Sequence, residues 1–289
     1  MILPCWRRVD DDAAMALEDH AGDIVLKARM AENIIHDDVA EAAGLDIESY
    51  RKFEVHGDTG QNVDYERLAD LVGLDGAKLR QVAEGWEPEP IDESRWKQLR
   101  MLATYGGEMW VNAYLIWDED TKEAVLFDTG WEAKPALEII EKEGLALTHL
   151  LVTHGHTDHI ADIASVRKAF PDVVVRANSE RAPKAMRFEQ GEVIKVGRFE
   201  ITARESPGHA DDAVVLVVDG WPDGAPKVAI VGDVIFAGSM GGHRNNPVVA
   251  RQKAREEILS LPDETLVCAG HGPLSTVAEA KAVIPFFKS

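Results

Sequence analysis

Beyond about residue 110 the chain alternates short, nearly continuous apolar runs with longer stretches whose apolar positions recur at helical spacing. The runs at 111–116, 124–127, 150–152, 173–176, 193–196, 199–203, 214–218, 228–231 and 266–269 are rich in β-branched and aliphatic residues. Their length and their polar or glycine boundaries predict strands. Residues 134–143, 158–170 and 247–260 carry helical spacing. Strands covered by helices imply a layered α/β unit. The N-terminal part differs: residues 24–33, 37–44, 46–55, 64–73 and 76–85 read as short helices with acidic starts and glycine stops. Glu87-Pro88-Glu89-Pro90 follows as an extended linker, because proline disfavours helix in the residue before it. The expected organisation is a small all-α unit with its linker over residues 1–90 and an α/β unit over residues 91–289, without repeats or low-complexity tracts.

Directly behind Leu150-Leu151-Val152 stands Thr153-His154-Gly155-His156-Thr157-Asp158-His159. Of the 10 histidines in the chain, three crowd into this one turn, which makes a merely polar loop a poor explanation. Neutral imidazoles and a carboxylate suit a borderline-soft divalent cation such as zinc. His154 and His156 can project to one side of an extended or turn conformation. Asp158 and His159, adjacent in sequence, must diverge, so one loop can grip two ions. Further donors recur at the ends of apolar runs, beside glycine that lets the backbone approach closely. They are His209 after Ser206-Pro207-Gly208, Asp233 after Gly232, and His271 in Gly270-His271-Gly272-Pro273.

In this order and at about this spacing, His154-x-His156-x-Asp158-His159, His209, Asp233 and His271 resemble the metallo-β-lactamase superfamily. The resemblance runs over residues 98–289 and includes the acidic turn Asp118-Glu119-Asp120 and the corner Asp128-Thr129-Gly130. Gly232-Asp233-Val234-Ile235-Phe236-Ala237-Gly238-Ser239 and Gly270-His271-Gly272-Pro273-Leu274 look most like the glyoxalase II branch. This resemblance implies a four-layer αββα sandwich with the site at one edge between two sheets. It implies that His154, His156 and His209 hold one metal ion, that Asp158, His159 and His271 hold a second, and that Asp233 bridges them. Asp128 would orient a ligand imidazole through its other ring nitrogen. The implied cofactor is a pair of divalent ions, zinc first, with iron or manganese as alternatives. Asp158 and Asp233 are the implied catalytic residues, around a hydroxide that the ion pair generates near neutral pH and that attacks a carbonyl carbon.

The activity so implied is hydrolysis of a thioester, as by hydroxyacylglutathione hydrolase, or of a lactone. Persulfide (sulfur) dioxygenases carry a closely similar motif set and would use one iron at His154, His209 and Asp233; sulfur oxidation is therefore the alternative. A DNA-binding regulator with a metal-binding sensor domain is a third reading. The chain departs from the glyoxalase II pattern where Gly242-His243-Arg244-Asn245-Asn246-Pro247 replaces the usual Arg-x-Asp. It also reaches Ser289 without the longer segment that binds glutathione in larger enzymes. Both departures count against a specifically glutathione-linked substrate. His243 enters as a candidate general acid or substrate contact.

The third reading comes from the helical unit. Asp38-Val39-Ala40-Glu41-Ala42-Ala43-Gly44-Leu45, then Ser49-Tyr50-Arg51-Lys52-Phe53-Glu54, resembles the helix-turn-helix of Cro/C1-type repressors. Leu68-Ala69-Asp70-Leu71-Val72-Gly73-Leu74 resembles that module's fourth helix, within a match over residues 22–86. Affinity for DNA rests largely on neutralising phosphates. Residues 20–90 instead hold 16 acidic against 7 basic side chains, so DNA is a disfavoured partner. Homo-oligomer formation through this unit, or a lid over the metal site, is expected in its place.

Composition sets the outer limits. At 45% hydrophobic and 28% charged, the chain reads as globular. No apolar run approaches the length of about 18 residues that a membrane span needs. Arg7 and Arg8 lead into Asp10-Asp11-Asp12 rather than into a signal-peptide core. Cys5 and Cys268 cannot build a disulfide framework, Cys268 reads as a core residue, and a reducing cytoplasm is the expected compartment. A net charge of −20 opposes encounter with anions. Screening confines that effect to about 8 Å, so local charge decides. Residues 176–204 are the local exception, with Arg176, Arg181, Lys184, Arg187, Lys195, Arg198 and Arg204 against four glutamates. Arg181 and Lys184 are the candidates for holding an anionic tail of a small-molecule substrate.

Overall fold

A computed structural model describes residues 16–58, 60–180, 182–243 and 246–288. The helical unit comprises α1 (Ala21–Glu32), α2 (His36–Ala43), α3 (Ile47–His56), α4 (Tyr65–Val72) and α5 (Gly76–Ala83). Local chemistry explains their limits. Asp46, Asp64 and Asp75 precede the last three, and each carboxylate accepts from the backbone N–H three residues on, an amide that the helix leaves unpaired. Inside the bundle Arg29 Nε donates to Glu54 Oε1 at 2.6 Å and Nη2 to Oε2 at 3.3 Å. Tyr50 donates its hydroxyl to the same carboxylate. Glu54, which the sequence places on the would-be reading helix, therefore turns inward.

After a 3-10 turn (Glu93–Trp96) come two sheets. β1 (Leu99–Gly106), β2 (Met109–Trp117), β3 (Glu123–Phe127), β4 (Ala146–Leu151) and β5 (Val174–Arg176) form the first, in that order. The second contains β6 (Val193–Val196), β7 (Phe199–Glu205), β8 (Val214–Asp219), β9 (Val228–Gly232), β12 (Leu266–Ala269) and β13 (Ser275–Thr276), in the order β13-β12-β9-β8-β7-β6. β10 (Ile235–Phe236) and β11 (Ser239–Met240) make a separate hairpin. The remaining helices are α6 (Lys134–Glu143), α7 (Thr157–Ile160), α8 (Ile163–Ala169), α9 (Pro247–Ala254) and α10 (Val277–Val283).

Strand alternation sorts the side chains into separate cores. Tyr114, Ile116, Val125 and Phe127 of the first sheet meet Ile201, Leu216, Val218 and Ile230 of the second. The first sheet's other face, with Leu115, Trp117 and Leu126, packs with Ala136, Ile140 and Val166 of α6 and α8. The second sheet's other face, with Val215, Val217 and Val231, shares one apolar cluster with α9, α10 and the helical unit, including Ile24, Phe53 and Val82. The α/β unit is thus an αββα sandwich, the architecture that the resemblance implies. Because β8 is covered on both faces, its valine run is continuous rather than alternating.

The helical unit is packed against this sandwich. Lys78 Nζ donates to the carbonyls of Lys281 at 2.7 Å and Phe287 at 2.5 Å, and Asp75 N donates to Pro285 O at 2.9 Å. The segment 86–92 between the two units has no regular structure, as the Pro-rich stretch predicts.

Several elements differ from expectation. The helix predicted over 158–170 splits into α7 and α8 at Asp162. There, Asp162 N donates to Thr129 Oγ1 and its carboxylate accepts from Ala133 N, tying the chain to the corner after β3. The helix predicted over 247–260 gives way after Ala254 to a π-helical turn, Arg255–Leu259. β1 escapes the pattern because it is a half-exposed edge strand, held by its antiparallel register with β2. α10 also escapes it, although Thr276-Val277-Ala278-Glu279 is a legible capping box and forms one. Among the described residues no helix is long and apolar enough to cross a membrane.

Candidate metal centre

The ligand-type residues gather where several strands end. β4 stops at Leu151, and the chain turns through His154 and His156 into α7, whose first turn carries Asp158 and His159. β9 and β12 are adjacent and parallel, so Asp233 and His271, just beyond them, emerge side by side. His209 lies in the turn between β7 and β8. One candidate ligand atom from each of His154, His156, His209 and Asp233 lies within 4.8 Å of the others, as do those of Asp158, His159 and His271. Asp233 reaches both sets. Its Oδ2 is 3.5 Å from His209 Nε2 and 3.3 Å from His271 Nε2, and its Oδ1 is 3.3 Å from His159 Nε2. Glycine at position 270 permits this approach, since a Cβ there would stand 2.2 Å from Asp233 Oδ1.

The outer ring nitrogens fix the tautomers. Thr153 Oγ1 donates to Asp128 Oδ2 at 2.7 Å, so it accepts from His154 Nδ1 at 3.1 Å. His159 Nδ1 donates to Asp128 Oδ2 at 2.8 Å, His209 Nδ1 to Gly242 O at 3.2 Å, and His271 Nδ1 to Trp110 O at 2.5 Å. In the neutral form all four rings then turn an Nε2 lone pair inward. Those of His154 and His209 each stand 3.0 Å from His156 Nδ1. His159 Nε2 and Asp233 Oδ1 are buried without a hydrogen-bond partner. In that neutral form, lone pairs and carboxylate oxygens that converge in this way fit divalent cations bound through nitrogen and oxygen.

Electrostatics follow from the same crowding. Burial pushes His154 well below its ordinary value and lowers His209. Burial also opposes protonation of His159, but Asp233 and Asp128 outweigh it and hold that ring at about 10. His271, likewise buried, is held at about 11 by Asp158 and Asp233. Against its own burial, Asp233 stays ionised beside His159 and His271. In the metal-free protein this imidazolium–carboxylate stabilisation is full below the ordinary imidazole value of 6.5 and is lost as pH rises through about 10. A metal requires the neutral rings, so loading near pH 7.5 should expel protons, and affinity should rise with pH. Calorimetric titration with zinc in two buffers of different ionisation enthalpy checks this; identical heats in both would refute it.

Other predicted residues fall differently. Asp128 is buried, with Oδ1 accepting from Thr153 N at 2.7 Å and Oδ2 from His159. Lys184 is exposed on a 3-10 turn, without an ion-pair partner among the described residues. Arg181 lies outside the described residues. His243 is not a solvated loop side chain: it is 3% exposed, its Nδ1 donates to Gly241 O, and burial pushes it down to about 4. A ring held this low is neutral near pH 7 with its proton on Nδ1, which favours the substrate-contact role over the general-acid one. Sequence reasoning missed Asn112, whose Nδ2 donates to Ala269 O and Gly272 O and pins the His271 loop. Its signal was available, since an amide inside the apolar run 111–116 needs buried partners.

The sequence model of the Metallo-beta-lactamase superfamily matches residues 106–271. The hydroxyacylglutathione hydrolase GloC of Haemophilus influenzae is 30% identical over 203 residues, covering 62% of this chain and 93% of that protein. The mitochondrial persulfide dioxygenase ETHE1 of Homo sapiens is 30% identical over 183 residues, covering 60% of this chain and 69% of that protein. The crystal structure of the BLEG-1 B3 metallo-beta-lactamase superposes with a TM-score of 0.56 at 26% identity, covering 66% of this chain and all of the other.

Proposed function

The chain belongs to the metallo-beta-lactamase superfamily and is a metallo-hydrolase of that type; on that premise we propose that it cleaves thioesters of the hydroxyacylglutathione kind, or lactones, with a pair of divalent ions. The observation that carries this reading is the convergence of two donor sets on Asp233. His154, His156 and His209 would hold one ion and Asp158, His159 and His271 the other, with Asp233 common to both. Bound there, such ions supply Lewis-acid polarisation of a carbonyl and lower the pKa of water towards neutrality.

The chain's own groups do the rest. Asp233 stays ionised and spans the two donor sets. Asp128 holds the His159 proton on Nδ1 and keeps Nε2 free to ligate. Asp158 Oδ2 lies 3.3 Å from His271 Nε2, and that contact holds its carboxylate below the ordinary value against burial, so it stays ionised as a donor of the second set and can accept a hydrogen bond from an attacking water. Among the described residues no cysteine nucleophile competes, since Cys268 is buried in β12 and burial pushes its thiol up. An apolar rim suits the substrate's acyl or thiol part: Tyr105 and Met109 are exposed at the β1–β2 tip, and Tyr105 packs on Trp110, whose carbonyl anchors His271. The helical unit is read as a docked module rather than a DNA reader, given its acidic excess and the inward Glu54.

Elemental analysis of purified protein, followed by assays on a panel of thioesters and lactones, tests this. Two zinc-type ions per chain with ester cleavage is the expected result. One iron per chain with oxygen uptake on persulfides would move the assignment to the dioxygenase activity of the human relative. Metal-loaded protein inert towards every thioester and lactone would overturn it.

A further inference from the structure

The hairpin β10–β11 touches three of the candidate ligands. It begins two residues after Asp233. Its Phe236 ring stands edge-on to His271, with ring centroids 5.7 Å apart. It runs out into Gly241 and Gly242. Gly242 O accepts from His209 Nδ1, and a Cβ on Gly241 would lie 1.9 Å from Asp233 O and 2.8 Å from His209 Nδ1. Yet among the described residues the hairpin pairs only with itself and joins neither large sheet.

Its grip comes from the other end of the chain. Ser239 Oγ donates to Asp19 Oδ2 at 2.6 Å, from a fully buried position. Lys27 of α1 pairs with Asp19, donates to Met240 O at 3.1 Å, and stands 5.2 Å over the Phe236 ring. Asp19 itself is 5% exposed. Glu18, beside it, brings Oε2 to 4.0 Å from His271 Nδ1. All of these N-terminal residues precede the segment that matches the superfamily.

We propose that Asp19 is a positioning residue of the metal centre. Together with Lys27 it clamps the hairpin, and the hairpin holds His209 and His271 in ligating orientation. The helical unit is then a working part of the site rather than an appendage. The docking hydrogen bonds of Lys78, to Lys281 and Phe287, land on α10 and the segment after it, which carry none of the seven donors. By linkage the coupling is reciprocal: metal in the site must tighten the docking of α1. This inference rests on the metal-centre reading above but not on any particular substrate.

The test titrates zinc against a chromophoric chelator into wild-type protein and the variants Asp19→Ala, Asp19→Asn and Ser239→Ala, and follows hydrogen exchange of the α1 amides with and without zinc. Asp19→Ala should weaken zinc binding about 10–100-fold, the range for residues that orient ligands. Asp19→Asn, still able to accept from Ser239, should recover part of that loss. Zinc should slow exchange in α1 of the wild type and not of Asp19→Ala. If Asp19→Ala does not fold, Ser239→Ala, which leaves the Asp19–Lys27 pair in place, decides by a smaller loss. Affinity within about twofold of wild type in the deciding variant overturns the inference. A wild-type protein that takes up no zinc overturns the metal centre itself, which is a distinguishable failure.

Discussion

Asp233→Ala should abolish turnover and empty the centre. Its two oxygens face His209 and His271 on one side and His159 on the other, so it is placed to serve both donor sets. A metal's Lewis-acid contribution is worth several kcal/mol, and each 1.36 kcal/mol is a factor of ten. Loss of the shared ligand should therefore lower kcat/KM by about 10⁴-fold or more. Steady-state kinetics together with metal per chain check this. A variant that keeps both ions and a rate within tenfold of wild type would contradict the bridging assignment. Asp128→Ala should cost less, about 10–100-fold, because it leaves every donor in place and removes only the acceptor that orients His159 and Thr153.

The second large effect concerns stability. Glu54→Ala should destabilise the protein by about 3–5 kcal/mol, because it leaves a guanidinium buried without its carboxylate. Arg29 and Glu54 side chains are 10% and 8% exposed, and Tyr50 loses its acceptor in the same change. Arg29 keeps Ile34 O and the His36 ring as partners, neither of them a carboxylate. Replacing both residues with apolar side chains of similar volume should restore most of the loss, since desolvation of the pair then disappears. Urea denaturation followed by circular dichroism measures both. A single variant within about 1 kcal/mol of wild type would mean that the pair contributes no more than an exposed one.

The chemistry was legible because it is carried by residue type. His154, His156, Asp158 and His159 announce a cation in one turn, and the glycine-flanked Asp233 and His271 do so at strand ends. A layered α/β unit was legible too, since burial on one or two faces imprints alternation or continuity on each run, as in β8, whereas the αββα order came only from the family resemblance. The acidic starts of α3, α4 and α5 were readable because capping is local. Elements without such an imprint were not readable, as β1 shows at its half-exposed edge.

Tertiary structure alone decided how the pieces meet. Nothing periodic marks Asp19 or Lys27, and their partners Ser239 and Met240 lie more than 200 residues away. Burial of His243, and with it the loss of its proton, depends on Phe286 and Arg251 arriving from later in the chain. The inward turn of Glu54 depends on Arg29 standing opposite it across two helices. Residue type and local spacing determine which groups can bind a metal or cap a helix. Which side chains become buried, paired or neutral is set by single long-range contacts, and those leave no pattern in the sequence around them.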